Sequence, residues 1–76
     1  MYELSKEHLG KAIKQLRKSK KFSQEVLSKK AGIARSHLAM IETGVKQPNF
    51  STVWKLANAL EIRPSELVKA IETYKD

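Results

Sequence analysis

No cysteine occurs in the 76 residues, so the chain has neither a disulfide staple nor a thiolate metal site. No apolar run approaches the roughly 18 residues that a membrane-spanning helix needs. The opening Met1-Tyr2-Glu3-Leu4 lacks the basic start and apolar stretch of a signal peptide. Together these absences point to a soluble, reduced, cytoplasmic protein. The only histidines, His8 and His37, have no carboxylate cluster around them at ligand spacing. No nucleophile is paired with a base, and no glycine-rich phosphate loop is present, so we expect no enzyme, no metal and no cofactor. Strand alternation, internal repeats and low-complexity tracts are absent too. A chain this short forms one domain with a small core, which tight helix packing and oligomerisation remain to stabilise.

Charge is what the chain does have, and its placement says more than its total. Residues 1–40 carry ten of the fifteen lysines and arginines and three of the eight acids, so the whole excess of +7 lies there. Residues 41–76 are neutral. A concentrated basic half suits a polyanion, nucleic acid first and an acidic membrane surface second. A solvated face that only aids solubility would look the same in composition.

Periodicity predicts five helices. Ser5 fits an N-cap, and Leu9, Ala12, Ile13 and Leu16 follow as one apolar stripe. Phe22 precedes Ser23, which caps a second helix over about 24–30, with Val26, Leu27 and Ala31 facing inward. Gly32 stops it, because glycine enters the left-handed region without a Cβ penalty. A third helix runs over about 35–43, with Leu38 and Ile41 inward and Gly44 fitting its end. Its opposite edge carries Arg35, Ser36, Ala39, Met40 and Thr43. After the loop Val45-Lys46-Gln47-Pro48, Asn49 fits the cap of a fourth helix over about 50–60. The apolar set there is Phe50, Val53, Trp54, Leu56, Ala57 and Leu60. Pro64 suits the first position of a fifth helix, with Glu66 in its first turn and Leu67, Val68, Ala70, Ile71 and Tyr74 as apolar residues.

The ordered set Ser23-Gln24-Glu25, Ala31-Gly32-Ile33, Ile41-Glu42, Gly44, Pro48 and Leu56-Ala57-Asn58-Ala59-Leu60 resembles the Cro/C1-type (Xre) helix-turn-helix regulators of bacteria and phages. The likeness covers about residues 8–70, the core of a single domain spanning 1–76. It implies an all-α, five-helix, lambda-repressor-like fold with the helix-turn-helix at helices two and three. It also implies double-stranded DNA as partner and helix 35–43 in the major groove. Four positions depart from the pattern. Ala34 stands where a Ser or Thr cap is usual, Val45 and Gln47 where basic or polar donors are common, and Glu61 where a glycine often ends the fourth helix.

The resemblance places Arg35, Ser36, Ala39 and Met40 opposite base edges. Arg35 can bond guanine bidentately or serve as a phosphate anchor. Ser36 can donate or accept. Ala39 offers a methyl for a thymine methyl or simply permits close approach. Met40 either meets a thymine methyl or stands idle. Gln24 occupies the position that bonds a phosphate in relatives, and Thr43, Lys46 and Asn49 flank the loop that touches the DNA backbone. His37 borders that face and can reach a phosphate. Lys18 and Lys20 either steer DNA or are only solvated. Arg17 and Glu42 occupy positions that relatives pair structurally, locking the first helix to the third. Since one recognition helix covers few base pairs, a homodimer on half-sites about 34 Å apart is expected. Leu67, Ile71 and Tyr74 are its candidate interface, with Trp54 either joining them or packing in the core. The expected function is sequence-specific DNA binding as a transcriptional regulator or repressor. The alternative is a protein-interaction adaptor, such as an antitoxin that masks a toxin or a coactivator that contacts the transcription machinery.

Overall fold

A computed structural model describes residues 5–74, with helices α1 (Lys6–Ser19), α2 (Gln24–Ala31), α3 (Arg35–Glu42), α4 (Phe50–Ala59) and α5 (Pro64–Thr73) and no strand among them. The fold is the expected all-α one. Side chains start three helices: Ser5 Oγ accepts from the His8 N–H, Ser23 Oγ from the Val26 N–H, and Asn49 Oδ1 from the Thr52 N–H at 2.8 Å. Helix α5 has half of a capping box. Glu66 Oε1 accepts from the Arg63 N–H at 2.9 Å, and Arg63 has no oxygen with which to reciprocate. Helix α3 begins at Ala34 with no side-chain cap, as the departure at that position implies.

Left-handed residues close the turns. Gly32 ends α2 at φ +71°, and its N–H bonds the Ser28 and Lys29 carbonyls. Lys21 and Glu61 take φ of +61° and +63° although neither is glycine. Each such residue costs about 1 kcal/mol or more, which the turns after α1 and α4 absorb.

The helices close a ring of contacts. α1 packs on α3 and α5, α2 on α3 and α4, and α4 on α5. Leu9, Ile13, Leu27, Leu38, Ile41, Leu56, Leu60 and Leu67 fill the centre with almost no exposure. Gly10 permits the α1–α3 crossing. A Cβ there would collide with the Ile41 carbonyl oxygen and lie 2.7 Å from that of Glu42. One inward assignment does not hold, and one apolar residue stays outside. Val26 is exposed, and Ser28 is buried in its place with its hydroxyl donating to the Glu25 carbonyl at 3.0 Å. Phe50, at the first position of α4, is 71% exposed.

Candidate nucleic-acid interface

Helix α3 divides into two sides. Leu38, Ile41 and Glu42 are buried against α1 and α2, while Arg35, Ser36, Met40 and Thr43 are exposed and Ala39 is half-buried at the margin. The four residues expected to face bases thus share one side of one short helix. A helix with its side chains is about 10–12 Å across, and the major groove of B-DNA is about 12 Å wide.

A buried network sets the angle of that helix. Arg17 Nε donates to Glu42 Oε2 at 2.7 Å and Arg17 Nη2 to Glu42 Oε1 at 3.0 Å, a bidentate pair between α1 and the last residue of α3. The third guanidinium nitrogen, Nη1, donates to the Phe22 carbonyl at 2.9 Å and ties in the loop before α2. Gln24 Nε2 donates to Glu42 Oε1 at 3.1 Å. Glu42 therefore joins the end of α3 to α1 and to the first residue of α2. Among the described residues, no buried side-chain nitrogen or oxygen lacks a hydrogen-bond partner.

The residues expected at the DNA backbone fall into two groups. Lys46 is exposed in the loop after α3, where the Val45 and Lys46 N–H groups both donate to the Met40 carbonyl at 3.0 and 3.1 Å. Asn49 keeps an amide N–H₂ to offer while its oxygen caps α4. His37 is half-buried on the flank of α3. The other two are engaged elsewhere. Gln24 shares its amide with Glu42. The Thr43 hydroxyl donates back to the Ala39 and Met40 carbonyls at 3.1 and 3.2 Å, so its proton is committed to its own helix. Nothing in the spacing of residues announces either bond.

The interface expected on α5 needs correction. Leu67 is fully buried and Ile71 only 9% exposed, both within the chain's own core, so neither is free to meet a second copy. Tyr74 is half-buried with its ring 5.7 Å from that of His8. The apolar side chains that do reach the surface nearby are Phe50, Trp54 at 48% and Val68 at 49% exposure. They line an open groove of about 700 Å³ between α4 and α5, with the Phe50 and Trp54 rings 5.8 Å apart. The sequence counts Phe50 and Val68 only among the apolar residues of their helices, without separating core from surface.

Two helices joined by a glycine turn, the second with its outer side bare and its inner side pinned by an ion pair, define a helix-turn-helix domain. Residues 13–67 match the helix-turn-helix family HTH_3, and the chain belongs to it, among the Cro/C1-type (Xre) transcriptional regulators. It is 42% identical over 60 residues to the immunity repressor protein of Bacillus phage phi105, covering 79% of this chain and 42% of that protein. Its fold is similar to the restriction-modification controller protein C.AhdI from Aeromonas hydrophila, with a TM-score of 0.79 and 35% identity over 82% of this chain and 94% of that one. It is also similar to the biofilm regulator SinR, solved in complex with DNA, with a TM-score of 0.73 and 34% identity over 79% of this chain and 97% of that one. The chain spans 38% and 42% of the length of the first two curated relatives it matches.

Proposed function

We propose that this domain is a sequence-specific double-stranded DNA-binding regulator that seats α3 in the major groove and controls transcription by occupancy. The observation that carries the reading is the asymmetry of α3: one side is fixed by Arg17, Glu42 and Gln24, the other is open with Arg35 and Ser36 at its first turn. Base edges are nearest to that end of a recognition helix. Arg35 bonds a guanine and Ser36 a neighbouring base. Lys46, Asn49 and His37, with Lys18 and Lys20 further out, hold the phosphates and set the register. The phage immunity repressor and the DNA-bound SinR support this assignment. Binding needs no cofactor, and the compartment is the cytoplasm, alongside the DNA.

A second copy completes the site. One helix of eight residues reads too few base pairs to select a site in a genome, and two copies related by a two-fold axis double the reading. The Phe50–Trp54–Val68 groove is the face for that copy. The domain spans 1–76 with its core at about 8–70.

The test is selection of bound sequences from a random duplex pool, followed by titration of Arg35→Ala on the selected site. Loss of preference at one base position per half-site, worth about 1–3 kcal/mol, is the expected result. A uniform loss on every sequence would make Arg35 a phosphate anchor, and no binding to any duplex would favour an adaptor that docks proteins through the groove instead.

A further inference from the structure

Most of the positive charge lies away from the recognition side. Lys6, Lys11, Lys14 and Lys18 on α1 and Lys20 and Lys21 in the turn after it are all exposed, and Glu7 is the one acid among them. Arg17 is buried and paired with Glu42. From Ala34 to Asn49, across α3 and its loop, the exposed Lys and Arg residues are Arg35 and Lys46 alone. The α1 charge is also shaped. Lys11, Lys14, Gln15 and Lys18 line an open groove of about 390 Å³ with Tyr74 at the end of α5. Each of these side chains ends in a hydrogen-bond donor, and among the described residues no carboxylate joins them.

The groove faces away from α3. Gly10 and Arg17 turn one flank of α1 to the Ile41 and Glu42 end of α3. His8, about 160° around the helix from Gly10 at 100° per residue, meets the Tyr74 ring. The lysine groove opens between these flanks, roughly a quarter turn from Gly10. Because α1 packs on the buried side of α3, a straight duplex seated on the bare side does not run along the groove. An open surface of donors does not enclose a small molecule, which a ligand pocket buries over most of its area. It suits a rod of regularly spaced negative charge. Lys14 and Lys18 lie one turn apart, about 6 Å along the axis, and Lys11 extends the row to about 10 Å. A DNA strand carries one phosphate per roughly 3.4 Å of axis, so the row matches about three of them.

We infer that the Lys11–Lys14–Lys18 groove is a second phosphate-binding surface, which holds the backbone of a separate stretch of duplex while α3 reads its operator. This rests on the DNA-binding reading above, and the outlying phosphates met by Lys18 then belong to that second stretch. The groove reaches no base edges, so any sequence serves. DNA is stiff over about 150 base pairs, so the second stretch is a distant or separate one and not the operator's own short flank. One regulator thereby brings two segments of DNA together.

The experiment immobilises a short duplex carrying the selected operator and loads it with the full chain at the ratio that just saturates it, so that the recognition helices are engaged. A labelled duplex of unrelated sequence is then offered at low salt. The natural sequence should retain the labelled duplex. Lys14→Gln with Lys18→Gln should retain it about tenfold less well, with a log–log salt slope smaller by about two. Both lysines are exposed, so affinity for the operator alone should stay within about twofold of the natural sequence. No retention of the labelled duplex by the natural sequence overturns the inference and leaves operator reading standing, and so does equal retention by the double variant. Operator affinity that falls in step with retention also overturns it and returns both lysines to the operator contact. Failure of the natural sequence to bind any operator overturns both readings.

Discussion

Glu42 is the residue on which the geometry of α3 turns, because three donors from two other segments converge on its carboxylate. Its side chain is 2% exposed and that of Arg17 10%. Removing either partner strands the other charge in a dry site, at a cost of about 3–5 kcal/mol. A chain of this size has only about 4–11 kcal/mol of stability in all. Arg17→Ala is therefore expected to lower the urea midpoint sharply, with much of the chain unfolded at ambient temperature. The double change Arg17→Met with Glu42→Leu removes both charges together and should recover most of the loss, since apolar residues of similar volume often replace a buried pair without penalty. A double variant as unstable as Arg17→Ala would show that the hydrogen bonds to Phe22 and Gln24, not the charge pairing, hold the site. The pairing of Arg17 with Glu42 was legible through family resemblance. The share taken by Gln24 was not, because a polar residue opening a helix can turn to solvent, a phosphate or a neighbour with no change in spacing.

At the scale of elements, caps and breakers carried most of the signal. Ser5, Ser23, Gly32, Asn49 and Pro64 mark helix ends by local chemistry, and the structure puts the ends within a residue or so of where those side chains imply. Glu61 was singled out for standing where glycine is usual, and its φ of +63° gives the reason. What a repeat of 3.6 residues cannot say is which neighbour covers an apolar stripe. Leu67 and Ile71 went to the core and Phe50 and Val68 to the surface because α5 lies against α1 and α4 together. Gly10 is the plainest case of a role invisible in sequence. Inside α1 it only weakens the helix, by about 1 kcal/mol relative to alanine. In the folded chain it lets the α3 carbonyls of Ile41 and Glu42 approach α1. Gly10→Ala, a helix-strengthening change in an isolated peptide, should therefore destabilise the protein by about 1–3 kcal/mol through overpacking. Thermal unfolding by circular dichroism measures it, and a raised midpoint would mean that α1 can slide off α3 without loss.

For the whole molecule, the open question is how one compact chain reads enough DNA. The described residues measure 35 × 23 × 23 Å, so two copies side by side can place their recognition helices about one helical turn apart, roughly 34 Å. The exposed Phe50, Trp54 and Val68 give such a pair an apolar centre, and Arg63, Lys69 and Glu72 at the groove margin give it a mixed-charge rim. Trp54 is the one tryptophan of the chain, so burial on pairing should shift its emission to shorter wavelength as concentration rises. Because Trp54 is already half in water, Trp54→Lys should leave the fold intact and remove the pairing. The linked second half-site then no longer contributes, and affinity for a palindromic operator is expected to fall by about 10²–10⁴-fold while affinity for a single half-site stays unchanged. Sedimentation should show the variant as a monomer at concentrations where the natural sequence is expected to pair. An unaltered palindrome affinity in Trp54→Lys would move the dimer contact away from α4 and α5 and leave the groove to a different protein.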